Sequence, residues 1–233
     1  MGIWDELQTL AIEKKQNMLT VEDTVSNLIP NQEFAKLASE EQIERTAKAL
    51  EANGIHAVIA ENGEEAKRIF FKLVPEGAEV FLGASVTLET IGIKDLIDNS
   101  GRFEAVRPKM FAMDRATQAR EIRKLGGAPD YAAGSVHAVT EDGQVMIASN
   151  TGSQLGPYAS GAGKVIWVVG AQKLVKDLNE GFKRIYEYDL PLETEHMRQL
   201  YNMGTGVNKV LIVNREIRPN RITLIIVKEG LGF

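Results

Sequence analysis

The sequence predicts an α/β protein, a three-layer Rossmann-like fold with a mixed, mostly parallel sheet. Three observations carry this. Short apolar strands alternate with amphipathic helices along most of the chain, the order that builds a parallel sheet covered on both faces. Asp142-Gly143 sits between two apolar alternating runs, a strong hairpin signal that adds an antiparallel pair. Polar, glycine-containing turns follow several of the strands, as happens where an open α/β sheet presents a ligand site at its carboxyl edge.

In chain order, residues 3–19 show weak helical periodicity through Ile3, Leu7, Leu10 and Ile12. Residues 20–38 are less regular and contain Pro30, so 1–38 reads as an N-terminal helical extension and 39–233 as the α/β domain. Ser39 and Gln42 fit a capping box ahead of Ile43, Ala47 and Leu50, and Asn53-Gly54 ends that helix. A strand over 56–60 follows, then a helix with Ala66, Ile69, Phe70 and Leu73 on one face. Residues 78–82 are a strand, and Gly83-Ala84-Ser85 turns into helical runs through Thr90 and over Ile93 to Ile97. A strand over 103–106 precedes a helix from Asp114 to Leu125. Residues 131–149 hold two strands around Asp142-Gly143, and 164–169 is a nearly continuous apolar strand. Asp177 with Glu180 suggests a second capping box, with Leu178, Phe182 and Ile185 as the buried stripe. Pro191 restarts a helix to about Met203, and strands over 210–213 and 222–227 form a second hairpin through Arg218-Pro219-Asn220.

Composition narrows the function classes. The 233 residues are 44% apolar and 25% charged, enough to bury a large core without crosslinks. There is no cysteine, which removes disulfides, thiolate nucleophiles and an intrinsic iron–sulfur cluster. A net charge of −5 opposes non-specific nucleic-acid binding. No run reaches the roughly 18 apolar residues of a membrane span, and no secretory signal is visible at Met1. The expectation is a cytoplasmic protein. Three histidines, His56, His137 and His196, do not have metal-ligand spacing.

The candidate chemistry lies in turns. Gly83, Ser85, Thr87 and Glu89 fall where a strand opens into a helix; their donors suit a phosphate or carboxylate, or Ser85 simply caps the helix. Ser135 and His137 share one face of a strand and would line a pocket, or His137 is a hydrogen-bonded core residue. Asn150, Thr151, Gly152, Ser153 and Gln154 form a donor-rich turn after the strand ending at Ser149. If the strands before Gly83 and Asn150 run parallel, both turns share one edge. Glu141 is the catalytic candidate, as nucleophile or base, if the hairpin leans over a site. Gly161-Ala162-Gly163-Lys164 lacks the hydroxyl residue and helix of a P-loop. Gly204-Thr205-Gly206 lacks the strand and third glycine of a dinucleotide fingerprint, and Arg215, Arg218 and Arg221 read as a solvated turn.

Taken together these segments resemble the LUD domain family, named for lactate utilisation, with its LutC- and YkgG-like members. The resemblance rests on His137-Ala138-Val139-Thr140-Glu141-Asp142-Gly143, Asn150-Thr151-Gly152-Ser153-Gln154, Lys164-Val165-Ile166 with Lys173-Leu174-Val175, and Gly83-Ala84-Ser85-Val86-Thr87-Leu88-Glu89. It implies a fold like the phosphosugar-isomerase and CoA-transferase superfamily, whose members bind anionic substrates at the carboxyl edge. There Glu141 matches a Glu-x-Gly context that some CoA transferases use as acyl acceptor. His137 stands where many relatives have Asn, and Ser153-Gln154 where LutC-like relatives often have Asn-Arg. The expectation is an accessory or ligand-binding component of lactate or related organic-acid metabolism that takes an anionic small molecule. The alternatives are a CoA-transferase- or isomerase-like enzyme using Glu141 and a non-catalytic assembly subunit. A homo-oligomer is among the expected partners, and no cofactor is specified.

Overall fold

The computed structural model describes residues 29–233. The helix expected over 3–19 lies outside the described residues. Ten strands and eight α-helices alternate through residues 29–233. In order they are α1 (Glu40–Ala52), β1 (His56–Ala60), α2 (Gly63–Leu73), β2 (Glu79–Leu82), α3 (Val86–Thr90) and α4 (Ile93–Asn99). Then come β3 (Glu104–Ala105), α5 (Val106–Ala112), α6 (Ala119–Gly127), β4 (Tyr131–Gly134), β5 (Ala138–Thr140) and β6 (Val145–Ser149). The remainder is β7 (Lys164–Gly170), β8 (Leu174–Val175), α7 (Leu178–Arg184), α8 (Leu190–Tyr201), β9 (Lys209–Val213) and β10 (Ile222–Val227).

The central sheet has six strands in the order β1-β10-β7-β4-β2-β3, all parallel. Both faces of β7 and β10 are buried, which is why they read as unbroken apolar runs rather than alternating ones. Trp167, Val165 and Leu224 pack into the core on one face, beside Ile43 and Leu50 of α1. Ile166, Val168 and Ile225 pack into the other, against Ala66 and Phe70 of α2, Leu88 of α3 and Ile93 and Ile97 of α4.

The caps follow from local chemistry. Ser39 accepts from the Gln42 N–H at 3.2 Å, Asn62 from Glu65 at 3.0 Å and Asp177 from Glu180 at 2.9 Å, each satisfying an orphan helix donor. Residues 29–38 lie along the domain: the Asn31 N–H donates to the Glu187 carbonyl and the Ala38 N–H to the Ala171 carbonyl.

Several local expectations change. The Asp142-Gly143 hairpin forms, but β5 and β6 belong to a second, four-stranded sheet ordered β8-β5-β6-β9. Residues 131–149 hold three strands, because the chain crosses from β4 in the first sheet to β5 in the second. β9 and β10 are not a hairpin. β9 runs antiparallel to β6, and β10 is inserted between β1 and β7. Arg221, expected in solvent, is 3% exposed. It donates to the carbonyls of Pro157, Tyr158 and Ala162 and pairs with Glu216 at 2.7 Å, so it ties the β9–β10 connection to the turn before β7. Phe182 faces out, whereas Gly181 and Arg184 of α7, and Ile185 just after it, are buried. Residues 106–112 form a helix, α5, that begins where strand β3 stops.

Candidate functional site

A cleft of about 620 Å³ opens where the two sheets meet, a size within the roughly 300–1,000 Å³ of small-molecule sites. Four segments supply much of its wall, with α4, α5, residues 205–207 and Phe233 adding the rest. The first is the turn after β2 with α3. The second is the β4–β5 crossing. The third is the turn after β6, and the fourth is the stretch from Lys173 through α8.

The sequence-derived candidates divide cleanly. Ser85, Thr87, Glu89, Ser135, His137, Asn150, Thr151, Ser153 and Gln154 all line the cleft. The two turns therefore border one cleft, although β2 and β6 lie in different sheets and not along one edge. Gly83 and Gly152 do not line it; they shape its backbone. A Cβ on Gly83 would stand 2.7 Å from the Tyr158 hydroxyl, and Gly152 adopts φ +86°, which an L side chain rarely tolerates. Glu141 lies outside the lining. Its carboxylate is held by Arg45 of α1 at 3.0 Å.

Many of the polar atoms lining the cleft already accept hydrogen bonds from the protein. Ser85 Oγ accepts from the Leu88 N–H and so caps α3. Asn150 Oδ1 accepts from Asn208 at 2.6 Å, and Gln154 Oε1 accepts from the Ser149 hydroxyl at 3.0 Å. These bonds hold the turn open. His137 Nδ1 accepts from the Ala148 N–H at 3.1 Å, which requires the neutral ring with its proton on Nε2. Burial, with Lys173 and Arg184 nearby, pushes the His137 pKa down to about 3.

Sequence reasoning missed the ionisable groups at the floor. Lys173 is 2% exposed. Its Nζ donates to the Phe233 main-chain oxygen at 2.7 Å and the Ser135 hydroxyl at 3.1 Å, and lies 3.4 Å from Thr87 Oγ1. Burial, then the Arg184 cation, holds its pKa down at about 7, against an opposing pull from Asp189. Arg184 and Asp189 form a buried pair at 2.5 Å, and Arg184 also donates to the His137 carbonyl at 2.6 Å. Asp189 Oδ2 has no hydrogen-bond partner, and burial raises that carboxyl's pKa despite Arg184 and Lys173. Glu193 is raised too, by burial first, against a lowering from His196, with Glu89 and Asp189 adding to the rise. Arg107 of α5 completes the wall; among the described residues no carboxylate lies within ion-pair distance of it.

In the sequence, Lys173-Leu174-Val175 stands out only as a family feature. A single lysine following a strand and leading into another gives no periodic signal, and its burial depends on β7 and β8 belonging to different sheets. Asp189 was invisible because the chain from α7 to α8 continues through a wide π-type turn over Ile185–Asp189 rather than breaking. Among the described residues no cluster of His, Asp and Glu could hold a metal ion, and no helix is long and apolar enough to cross a membrane.

Comparison with known proteins agrees with this architecture. A crystallised DUF162 family protein from Deinococcus radiodurans aligns over 82% of this chain and 99% of its own, with a TM-score of 0.50 and 12% identity, a likeness that shows the fold alone. No curated protein matches the chain. The model of the LUD domain matches residues 43–227, which take in both sheets and almost all of the cleft, and this chain therefore belongs to the LUD domain family.

Proposed function

We propose that the cleft binds a small organic acid, and that the protein serves lactate or related organic-acid metabolism as a ligand-binding or accessory component. The observation that carries this is Arg107: a permanently charged guanidinium that lines the cleft with no carboxylate partner among the described residues. The hydroxyls of Ser135 and Thr151 line the same space. A guanidinium can hold a carboxylate through two parallel hydrogen bonds.

The acidic side of the cleft narrows the ligand. Asp98 is paired with Lys94 and Asp189 with Arg184, but Glu89 and Glu193 also line the wall. Those carboxylates repel a phosphosugar or acyl-CoA carrying several negative charges more than they repel a single carboxylate. A hydroxy or oxo acid offers one anionic end for Arg107 and a polar end for the His137 Nε2–H. Glu141 is left out of the proposed site, because it is committed to Arg45 outside the lining.

Thermal-shift titration with lactate, pyruvate, a phosphosugar and an acyl-CoA tests the reading. The expected result is stabilisation by the monocarboxylates that is lost in Arg107→Gln. Equal stabilisation of the variant, or none of the wild type by any organic acid, removes the proposal.

A further inference from the structure

Lys173 carries a second chemistry that anion binding does not use. Its amine is buried, lines the cleft, and among the described residues has no side-chain carboxylate within ion-pair distance. Its Nζ ends at two hydroxyls, those of Ser135 and Thr87, and at a backbone oxygen of Phe233, the last residue of the sequence. Desolvation in that setting favours the free amine over the ammonium ion. A free amine in a ligand cleft is a nucleophile for carbonyl carbon.

We propose that Lys173 forms an imine with a 2-oxo acid held in the cleft by Arg107. The inference rests on the organic-acid reading above and names its substrate class. The carboxylate takes the Arg107 guanidinium, and the adjoining keto group replaces the Phe233 oxygen in front of Nζ. The nitrogen lone pair attacks the keto carbon, a C–N bond forms, and the carbonyl π pair moves onto oxygen. That oxygen gains a proton while nitrogen loses one, a transfer for which the Ser135 hydroxyl, 3.1 Å from Nζ, is the relay. The nitrogen lone pair then expels the hydroxyl. The keto oxygen and both amine hydrogens leave as water, so no oxidant or reductant enters. Asp189, a cleft-lining residue whose buried Oδ2 has no hydrogen-bond partner, is the carboxyl available to protonate the departing hydroxyl and recover the proton from nitrogen.

The experiment is reductive trapping on the full chain. Protein is incubated with pyruvate and sodium cyanoborohydride, its intact mass is measured, and the modified peptide is mapped. Thermal shift with pyruvate and with lactate runs in parallel. The expected result is one saturable adduct on Lys173, suppressed by excess lactate and absent in Lys173→Arg. Stabilisation by pyruvate with no adduct overturns the imine and leaves organic-acid binding standing. Adducts confined to exposed lysines, insensitive to lactate, overturn it as well. Neither stabilisation nor an adduct removes both readings. If Lys173→Arg does not fold, the mapped position of the adduct on the wild-type chain decides alone.

Discussion

His137 shows how one hydrogen bond fixes the behaviour of a titrating group. Because Nδ1 accepts from Ala148, protonating that nitrogen breaks a backbone contact in a site already bordered by Lys173 and Arg184. Its folded pKa, about 3, lies below the unfolded value of about 6.5. Between those limits the unfolded chain binds more protons, so stability present above about pH 6.5 is lost as pH falls. The difference in unfolding free energy between wild type and His137→Gln should therefore shrink on acidification, with a slope of up to about 1.4 kcal/mol per pH unit. Urea melts at several pH values check it, and a difference independent of pH would show that His137 does not titrate as described. Gly134 is a steric counterpart at this scale. A Cβ there would stand 2.0 Å from the Tyr158 hydroxyl, which is fixed by its bond to the Ala133 carbonyl. Gly134→Ala should cost about 1–3 kcal/mol by overpacking, read as a lower denaturation midpoint with an unchanged slope.

At the scale of elements, the run from α7 through the wide turn to α8 works as one lever. Arg184 leaves α7 buried, reaches the His137 carbonyl and closes on Asp189 at the other end of the turn. Removing one partner strands the other charge in a dry interior. Arg184→Met should cost about 3–5 kcal/mol and loosen the His137 side of the cleft, seen together in denaturant melts and in faster amide exchange of β5. Both changes are required, because a loss of stability without faster exchange would mean the pair does not support that wall. The Asp142-Gly143 turn is the opposite case, with its reason local. Gly143 sits at φ +76° with backbone of Ala49 and Leu50 within 2.7 Å of any Cβ. Gly143→Ala should destabilise by more than about 1 kcal/mol, measured by the same melts, since strain and clash coincide.

Across the whole molecule, the alternation of strands and helices made the parallel sheet legible, and the apolar runs of β7 and β10 announced strands buried on both faces. Turn chemistry made Ser85, Ser135, His137 and the 150–154 turn legible as cleft residues. What the pattern could not carry was partnership. Residues 209–213 and 222–227 look alike as apolar runs, yet one joins β6 and the other fills the centre of the main sheet. The choice depends on burial from elements distant in sequence, which a local window does not contain. Lys173 and Asp189 were hidden for the same reason, since neither is unusual until two sheets close around it. Protection should follow this organisation. Amides of β7 and β10 should exchange slowest, and those of β9, whose residues are exposed or half-buried, clearly faster. Equal protection of β9 and β10 would contradict it.

The position of β10 also has a consequence for synthesis. Its partners β1 and β7 are translated well before it, and neither can pair with the other across the gap that β10 fills. A nascent chain halted ahead of Ile222 therefore presents two unpaired apolar edges to its surroundings, the kind of surface that holdase chaperones capture and that promotes aggregation. Arg221, immediately before β10, anchors to the carbonyls of the turn that leads into β7. Ribosome-bound chains ending at residue 215 should accordingly stay protease-sensitive and chaperone-bound, whereas chains in which residue 233 has cleared the exit tunnel should become resistant in a single step.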